Sequence, residues 1–470
     1  MRIVVVGAGI SGLSAAYRLQ QRLPQAEIVV LEADSRAGGT MQTVRRDGFT
    51  VELGPNGFLD TKPSTLNLSH DVGLGNQLLQ ASDTAGKNRF LFLRDRMFRL
   101  PGGPGELLTT RLLSLRGKLS LLAERLRGRR RTEGDESIDA FARRRAGNQA
   151  ADILADAMVT GIFAGDPKLL SLPACFPRVA QLEREYGSVI KGFAQEARKR
   201  RQEAEKKGEP YKRPGGLWSF KHGLKSLIEA LVANLATPPV YGAAIRNVRK
   251  DGDPVRPKWI VSGEGQDRWE ADAVLLTSPG YRQSAALADL DCDLSGKIAE
   301  IPFNRIAVIA LGFRKKDLSA PLDGFGYIAP QRTGRDLLGA QWCSSIYPGH
   351  RCPDDAVLVR AMAGGWTRGD LLDRNDDELV RLAWAELRTT MQLSAAPIFS
   401  HVARWEKGIP QYHLGHLDRV AWIQKRLASH PGLFLGGNSY RGVAMNDCTE
   451  QGSILADAIA GYVAKEPRTK

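Results

Sequence analysis

The chain has 470 residues, 43% of them hydrophobic, which is enough for two or three globular domains and argues against a disordered protein. Its net charge of +14 calls for an anionic partner, which nucleic acid, an anionic membrane or an anionic ligand could supply. The five cysteines are never spaced as C-x-x-C, which argues against a zinc site or a disulfide framework and favours a reducing, cytoplasmic compartment.

The N-terminus predicts a strand followed by a tight glycine turn. Residues 2–6 form an apolar run, and Gly7, Gly9 and Gly12 follow it with the spacing of a phosphate-binding turn. Gly7 permits the turn, Gly9 lets the backbone approach a pyrophosphate, and Gly12 lets the next helix pack closely on the strand.

The residues after this turn strengthen the prediction of a dinucleotide site. A helix predicted over about 11–20 points its N-terminal N–H groups at the phosphates. A second strand over 27–31 ends in Glu32, whose carboxylate can accept hydrogen bonds from ribose hydroxyls. Strand, helix, strand and acid in this order are much more specific than three glycines alone.

A second glycine pair identifies the dinucleotide. The arrangement Glu32-x-x-x-Arg36-x-Gly38-Gly39 resembles the FAD signature of the superfamily of amine oxidases, carotene desaturases and protoporphyrinogen oxidases. The resemblance implies that Arg36 pairs with the pyrophosphate. It also implies that the glycines let the chain pass beneath the flavin.

The remaining elements follow from apolar periodicity. Helical spacing predicts helices over 106–131, 137–163, 181–207, 224–235 and 448–464. Apolar runs predict strands over 239–245, 259–261, 272–279, 307–313, 324–329, 357–363 and 432–438. A loop is predicted over 208–216.

These elements predict an α/β protein (α+β overall) with discontinuous domains. An FAD-binding, Rossmann-like domain is expected over 1–85, 215–285 and 430–470. A sheet-based substrate domain is expected over 86–102 and 286–429, and a helical insertion over 103–214.

Five sequence blocks resemble the protoporphyrinogen oxidase family, and the similarity runs nearly from end to end. They are Asn88-Arg89-Phe90 and the segments 160–166, 171–177, 408–416 and 442–448. The resemblance implies an enzyme of haem biosynthesis that oxidises protoporphyrinogen IX to protoporphyrin IX by successive hydride transfers to FAD. It also implies that the helical insertion faces a membrane.

The resemblance assigns site residues but no catalytic acid or base. The expected FAD contacts are Gly7, Ala8, Gly9, Ile10, Ser11, Gly12, Glu32, Ala33, Arg36, Gly38, Gly39, Thr40, Gly54, Pro55, Asn56, Gly57, Ile245, Trp405, Val443, Ala444 and Met445. Arg89 matches the arginine that pairs with a substrate propionate, and Gly161 matches a residue that lines the macrocycle cavity. A guanidinium suits a carboxylate because it can bind it bidentately.

Several alternatives stay open at this point. The substrate could instead be coproporphyrinogen III, whose two additional propionates require more cationic contacts, or an amine; a flavin-bearing scaffold protein is a further alternative. The electron acceptor is oxygen or a quinone, and a homodimer is an option. His413 and His416 lack a carboxylate pattern beside them, so no metal is expected.

The positive charge is concentrated in two basic runs, over 125–131 and 198–201. Neither has interleaved aromatics for base stacking, which argues against nucleic acid. Solvated helix ends or peripheral contact with an anionic membrane, on its cytoplasmic face, are the two interpretations that remain. No uninterrupted apolar run of about 18 residues predicts a transmembrane helix.

Overall fold

The computed structural model of the chain describes residues 1–128, 130, 134–208, 215–253, 257–265 and 267–464. Arg129 and Arg131 of the first basic run lie outside the described residues, as do residues 209–214 of the predicted loop.

Four parallel strands form the first sheet. In spatial order they are Leu433–Leu435, Ala273–Leu276, Arg2–Val6 and Glu27–Leu31. Most of their residues are buried, because both faces of the sheet are covered. One face packs against the first helix (Ile10–Arg22), the helix Lys225–Ala233 and the closing helix (Met445–Ala464).

The other face of this parallel sheet packs against a three-stranded antiparallel sheet and three helices. The strands are Asn247–Asp251, Lys258–Ser262 and Arg268–Ala271, and the helices are Gly280–Leu287, Cys292–Ala299 and His416–Leu427. The strand predicted over 239–245 is wrong, since only Val240 makes an isolated bridge, to Leu31. Two prolines at 238 and 239 lack N–H donors, and Gly242 has a φ of 72°, so this segment cannot sustain a ladder.

A seven-stranded sheet forms the second half of the molecule. Its strands, in order, are Phe399–Trp405, Arg305–Arg314, Ala356–Gly365, Leu337–Trp342, Gly326–Ile328, Arg89–Leu93 and Arg96–Arg99. All neighbours are antiparallel except Gly326–Ile328 and Arg89–Leu93, which are parallel. One face is covered by the helix Asp376–Met391. The other face is turned towards the parallel sheet and the helical segment.

Two small sheets connect the halves. One pairs Thr43–Arg46 with Phe49–Glu52, and the other joins Phe58–Leu59, Leu217–Phe220 and Leu78–Gln80. Short helices at Ser64–Asp71, Asp83–Lys87 and Cys343–Ile346 flank them.

The helical insertion is divided into more helices than predicted, although one of them, Val189–Lys206, is 18 residues long. The helices span Pro104–Thr109, Leu115–Leu122, Ile138–Ala146, Asn148–Ala150, Asp156–Phe163, Leu172–Cys175, Pro177–Tyr186 and Val189–Lys206. A π-helical turn over Ala151–Ala155 joins Asn148–Ala150 to Asp156–Phe163. Breaks occur where Ser114 caps a new helix by accepting a hydrogen bond from the Gly117 amide, and where Gly147 adopts a φ of 91°. No helix in the described part of the chain combines the length and apolarity needed to cross a bilayer.

Candidate active site

The glycine turn after the first strand is shaped by close backbone contacts. Gly7 has a φ of 105°, which favours glycine, and a side chain at Gly12 would overlap the Gly7 carbonyl oxygen. Gly9, in contrast, begins the first helix, and a Cβ built on it meets no protein atom within 4 Å. The turn is therefore closed on its protein side and open in front of the helix N-terminus, where an anion is stabilised by the helix dipole.

Glu32 lies directly beside this turn. One carboxylate oxygen accepts a hydrogen bond from the Ala8 amide at 2.7 Å, and the other accepts one from the Asp34 amide at 3.0 Å. Ala33 lies between these two residues, at the end of the second strand. Ala8 also accepts a hydrogen bond from the Gly38 amide at 2.8 Å, so the second glycine pair is held against the first turn.

The second glycine pair, Gly38 and Gly39, lies opposite the start of the first helix. Together with Gly54–Gly57 it forms one wall of the predicted cofactor site. A Cβ built on Gly39 would lie 3.8 Å from the Cα of Gly9, so the two glycine segments face each other. The Arg36 guanidinium donates to the Gly39 carbonyl at 3.4 Å and stays partly exposed. Thr40 then approaches Gly54 so closely that any side chain at Gly54 would overlap the Thr40 carbonyl oxygen.

The closing helix adds a second helix N-terminus to the same place. Its Cys448 thiol is hydrogen-bonded to Ser11, and Arg22 pairs with Asp457 further along, so the closing helix runs parallel to the first helix. A Cβ built on Gly452 would lie 2.9 Å from Ser14, which shows how closely the two helices pack. Two parallel helices with adjacent N-termini direct both positive dipole ends towards one site.

The predicted C-terminal contacts lie at this helix start. Val443 and Ala444 precede the closing helix, Met445 is its first residue, and the Ala444 carbonyl accepts hydrogen bonds from the helix amides. The helix thus begins three residues earlier than the sequence predicts, and Asp447 places a negative charge in its first turn.

The segment Gly54–Gly57 is fixed by two side chains of the seven-stranded sheet and by Tyr347, which follows the helix Cys343–Ile346. Arg360 donates to the Gly54 carbonyl, and Tyr347 donates to the Asn56 carbonyl at 3.4 Å. Trp405 donates to the neighbouring Leu53 carbonyl at 2.8 Å. Pro55 lies within this segment. The predicted contact Trp405 therefore lies on the same wall as Gly54–Gly57, although it is far away in sequence.

Ile245 lies on the segment that follows Glu32 in space rather than in sequence. It is partly buried and packs in the cluster between the parallel and antiparallel sheets. The preceding Ala243 amide donates to the Glu32 carbonyl at 2.8 Å, which brings this segment next to the predicted ribose site.

The surroundings of these segments fit an FAD molecule. The open space in front of Gly9 is a cradle that any bulkier side chain would fill. Among the described residues, the buried Asn56 Nδ2 and Asn446 Oδ1 have no protein partner, and both lie in segments predicted to contact the flavin or adjacent to them. A ligand with donors and acceptors along its length can satisfy such atoms.

Arg89 begins an inner strand of the seven-stranded sheet and has no acidic partner among the described residues. Its guanidinium lies over the Phe325 ring, 5.2 Å from the centroid, and although Arg89 as a whole is exposed, partial desolvation of the guanidinium lowers its pKa. Because an arginine stays charged even so, a partly desolvated guanidinium beside an aromatic ring is suited to an anionic ligand group.

Gly161 lies on the helix Asp156–Phe163, which packs near the strand Arg89–Leu93. A Cβ built on Gly161 would lie 2.6 Å from the Cδ1 of Ile328, and Ile328 pairs with Leu91, two residues along the strand from Arg89. Leu91 and Ile328 belong to one apolar cluster with Ala157 of the helix. The region between this helix and the start of the strand, with Arg89, Gly161 and Ile328, is called the cleft below.

Arg360 was missed in the sequence although its burial is unusual. It is only 4% exposed, and burial lowers its pKa. It lies in the strand Ala356–Gly365, which is otherwise apolar. A single arginine within such an apolar run could have indicated a site residue. Burying a charge without a partner costs free energy, so a buried arginine usually binds specific groups.

Comparison with known proteins places the chain in a family. Residues 10–460 match the family of flavin-containing amine oxidoreductases. The chain is 31% identical to a protein named coproporphyrinogen III oxidase from Staphylococcus aureus, with 97% of this chain and 98% of the relative covered. It is 30% identical to a chloroplastic protoporphyrinogen oxidase of Oryza sativa subsp. japonica, over 98% and 88% of the two chains.

A solved structure agrees with this placement. The crystal structure of a protein from Exiguobacterium sp. 255-15, provisionally named protoporphyrinogen oxidase, superimposes with a TM-score of 0.82 at 25% identity and covers 98% of both chains. The protein belongs to the flavin-containing amine oxidoreductase family, within its porphyrinogen oxidases, and is an FAD-dependent oxidoreductase.

Proposed function

We propose that this protein oxidises coproporphyrinogen III to coproporphyrin III. The observation that supports a porphyrinogen substrate most is Arg89, whose guanidinium has no acidic partner among the described residues and suits a macrocycle with carboxylates at its edge. Arg89 suits either porphyrinogen. The relative named coproporphyrinogen III oxidase matches over almost the full length of both chains, so this substrate is favoured over the protoporphyrinogen IX that the sequence alone predicted.

The chain's residues would divide the work between binding the cofactor and orienting the substrate. Glu32 would accept hydrogen bonds from the ribose hydroxyls. The helix N-terminus at Gly9 would face the pyrophosphate, and the one at Met445 would face the flavin ring. Arg89 would hold a propionate, and Gly161 would leave room for the macrocycle. The chemistry that FAD supplies when bound is acceptance of hydride from the substrate.

One experiment tests this proposal directly. The purified holoenzyme is offered coproporphyrinogen III and protoporphyrinogen IX separately, and porphyrin fluorescence is followed under air and with a quinone. Faster turnover of coproporphyrinogen III is expected. A preference for protoporphyrinogen IX would instead favour protoporphyrinogen oxidation, which the 30% identical rice relative supports. If the enzyme oxidises neither porphyrinogen, both proposed substrates are wrong.

We also propose that the helical insertion makes peripheral contact with an anionic membrane. Leu115, Leu119, Leu122 and Leu126 recur at helical spacing and are 78%, 66%, 46% and 88% exposed. The neighbouring Arg116 and Arg125 are exposed as well, and a second exposed basic group lies at residues 198–201. An apolar stripe beside arginines is typical of helices that lie in a membrane interface.

Liposome flotation tests the membrane contact. Changing Leu115 and Leu119 to Gln should reduce binding to anionic vesicles, while turnover of detergent-dispersed substrate stays unchanged. A control variant changes Leu417 and Ile454, which are exposed far from this stripe. Equal binding of all three proteins to anionic and neutral vesicles would contradict the proposal.

A further inference from the structure

The register of the seven-stranded sheet places several polar residues in one row. Arg360 is paired with Gln341, Gln341 with Gly326, and Gly326 with Arg89. Residues paired directly across a sheet lie on the same face, so Gln341 and Arg89 share a face and are separated by one strand. Two strand spacings put their backbones about 10 Å apart.

Gly326 leaves a gap between the two side chains. It has a φ of 124°, which favours glycine, and any side chain there would overlap the Ala340 carbonyl oxygen. The row therefore has a polar group on each side of a residue with no side chain. Two carboxylates of one macrocycle could be held across such a gap.

The Gln341 amide has only one possible orientation. Its Oε1 accepts a hydrogen bond from the Arg360 guanidinium at 2.8 Å. Arginine has only donors, so a flipped amide would set the NH2 group against N–H groups. The acceptor oxygen is thus occupied and the NH2 group is turned away from Arg360.

That NH2 group is available to a ligand. Gln341 is partly exposed, and no hydrogen bond from its Nε2 to another described residue is found. Pyrrole N–H groups are donors and would be repelled by it, whereas a carboxylate accepts from it. The exposed NH2 group therefore favours binding of the carboxylates at the macrocycle edge over binding of the pyrrole N–H groups.

Arg360 connects this amide to the predicted flavin wall. Besides Gln341 it binds the Gly54 carbonyl, and its Nε atom has no partner among the described residues. It forms no ion pair with a carboxylate among the described residues, although the buried Glu52 is near enough to interact with it electrostatically. Because the Arg360 guanidinium donates to both the Gln341 side-chain oxygen and the Gly54 carbonyl oxygen, it can hold both groups in place.

We propose that Gln341 is a specificity-determining residue that binds a second substrate carboxylate, and that Arg360 is a positioning residue that orients it. This inference rests on the proposed function, because it takes a porphyrinogen as the substrate. A tetracarboxylate such as coproporphyrinogen III can engage Arg89 and Gln341 together more readily than a dicarboxylate.

The test compares KM and kcat for both porphyrinogens in Gln341→Leu and Gln341→Glu. Loss of a charge-assisted hydrogen bond should raise the KM for coproporphyrinogen III by about 10- to 100-fold, and that for protoporphyrinogen IX much less. In Gln341→Glu the new carboxylate repels the substrate carboxylate, so the discrimination should fall at least as far. FAD content and kcat should stay near those of the parent, and Gln181→Leu, which is remote from the sheet, is the matched control.

Arg360→Lys tests the positioning role. A lysine keeps the charge but cannot reach both acceptors in one plane, so the same selective rise in KM is expected, smaller than in Gln341→Leu. Arg351→Lys is the control, since Arg351 is equally buried but contacts Ser219 and Phe220 instead.

The outcomes are distinguishable. Equal losses for both porphyrinogens in Gln341→Leu, or an altered flavin spectrum with unchanged KM, would overturn the inference and leave the proposed function standing. If the parent enzyme oxidises neither porphyrinogen, the proposed function itself fails.

Discussion

The glycine turn at residues 7–12 is shaped by backbone atoms close together in sequence, whereas the cleft around Arg89 is shaped by residues from strands that are far apart in sequence. In the turn, a single Cβ at Gly12 would overlap a carbonyl oxygen. In the cleft, the equivalent contact at Gly161 is with the end of the flexible Ile328 side chain. The first region should therefore lose its function abruptly on substitution, and the second should lose it by degrees.

The largest effects are expected at the glycine turn, where two neighbouring glycines should behave differently. Gly9→Val should remove FAD but leave the fold intact, because its side chain enters space that no protein atom occupies. Gly12→Val should remove FAD and also lower the melting temperature, because it overlaps Gly7. Flavin absorbance measures the loss of FAD, and thermal unfolding followed by circular dichroism measures the loss of stability. A Gly9→Val protein that retains flavin would contradict the assignment of the space in front of Gly9 to FAD.

The next largest effect is expected at Arg89. Arg89→Ala should lower kcat/KM by about 10- to 150-fold through the loss of a charge-assisted bond, with FAD content unchanged. Arg89→Lys should recover part of this activity, because an ammonium keeps the charge but loses the fork geometry. Arg96→Ala, in the other strand of the same hairpin, is the control. Unchanged turnover in Arg89→Ala would mean that another residue holds the substrate.

A smaller effect is expected at Gly161, and it should be reversible. Gly161→Ala crowds the Ile328 side chain at 2.6 Å and should raise the KM by about 3- to 10-fold. Because the obstacle is the end of a side chain, the double variant Gly161→Ala with Ile328→Val should recover most of this loss. No recovery would mean that the added methyl group acts on the helix backbone instead.

The smallest effect is expected at Asp291, which lies outside both regions. Although burial opposes its ionisation, hydrogen bonds from Arg426 and His430 hold the pKa of Asp291 well below its usual range. A lowered pKa stabilises the fold above the unfolded pKa of about 4, and this contribution is lost as the pH falls through the folded value.

Asp291→Asn should therefore reduce the free energy of unfolding at pH 7 by about 1 kcal/mol. The difference from the parent should shrink below about pH 4. Urea unfolding at both pH values measures it, with FAD content and KM as unaffected readouts. A difference that does not depend on pH would assign the loss to the helix cap, since Asp291 also accepts from the Leu294 amide.

The sequence by itself determined the glycine turn, Glu32 and the second glycine pair, because each depends on residues within about forty positions and on backbone rules that hold in any fold. It also predicted the buried strands Arg305–Arg314 and Ala356–Gly365 from their apolar runs, but it missed Leu337–Trp342 and Phe399–Trp405 of the same sheet. It failed at residues 239–245, where two prolines and Gly242 override an apolar pattern.

Only the tertiary structure decided which distant residues meet. Gly54 and Arg360 are brought together by the approach of two sheets, and Gln341 and Arg89 by strand register. A register shift of one residue would turn either side chain to the other face, and no local pattern in the sequence encodes that choice. The cofactor cradle was therefore readable from the sequence, whereas the row of polar residues in the cleft required the fold.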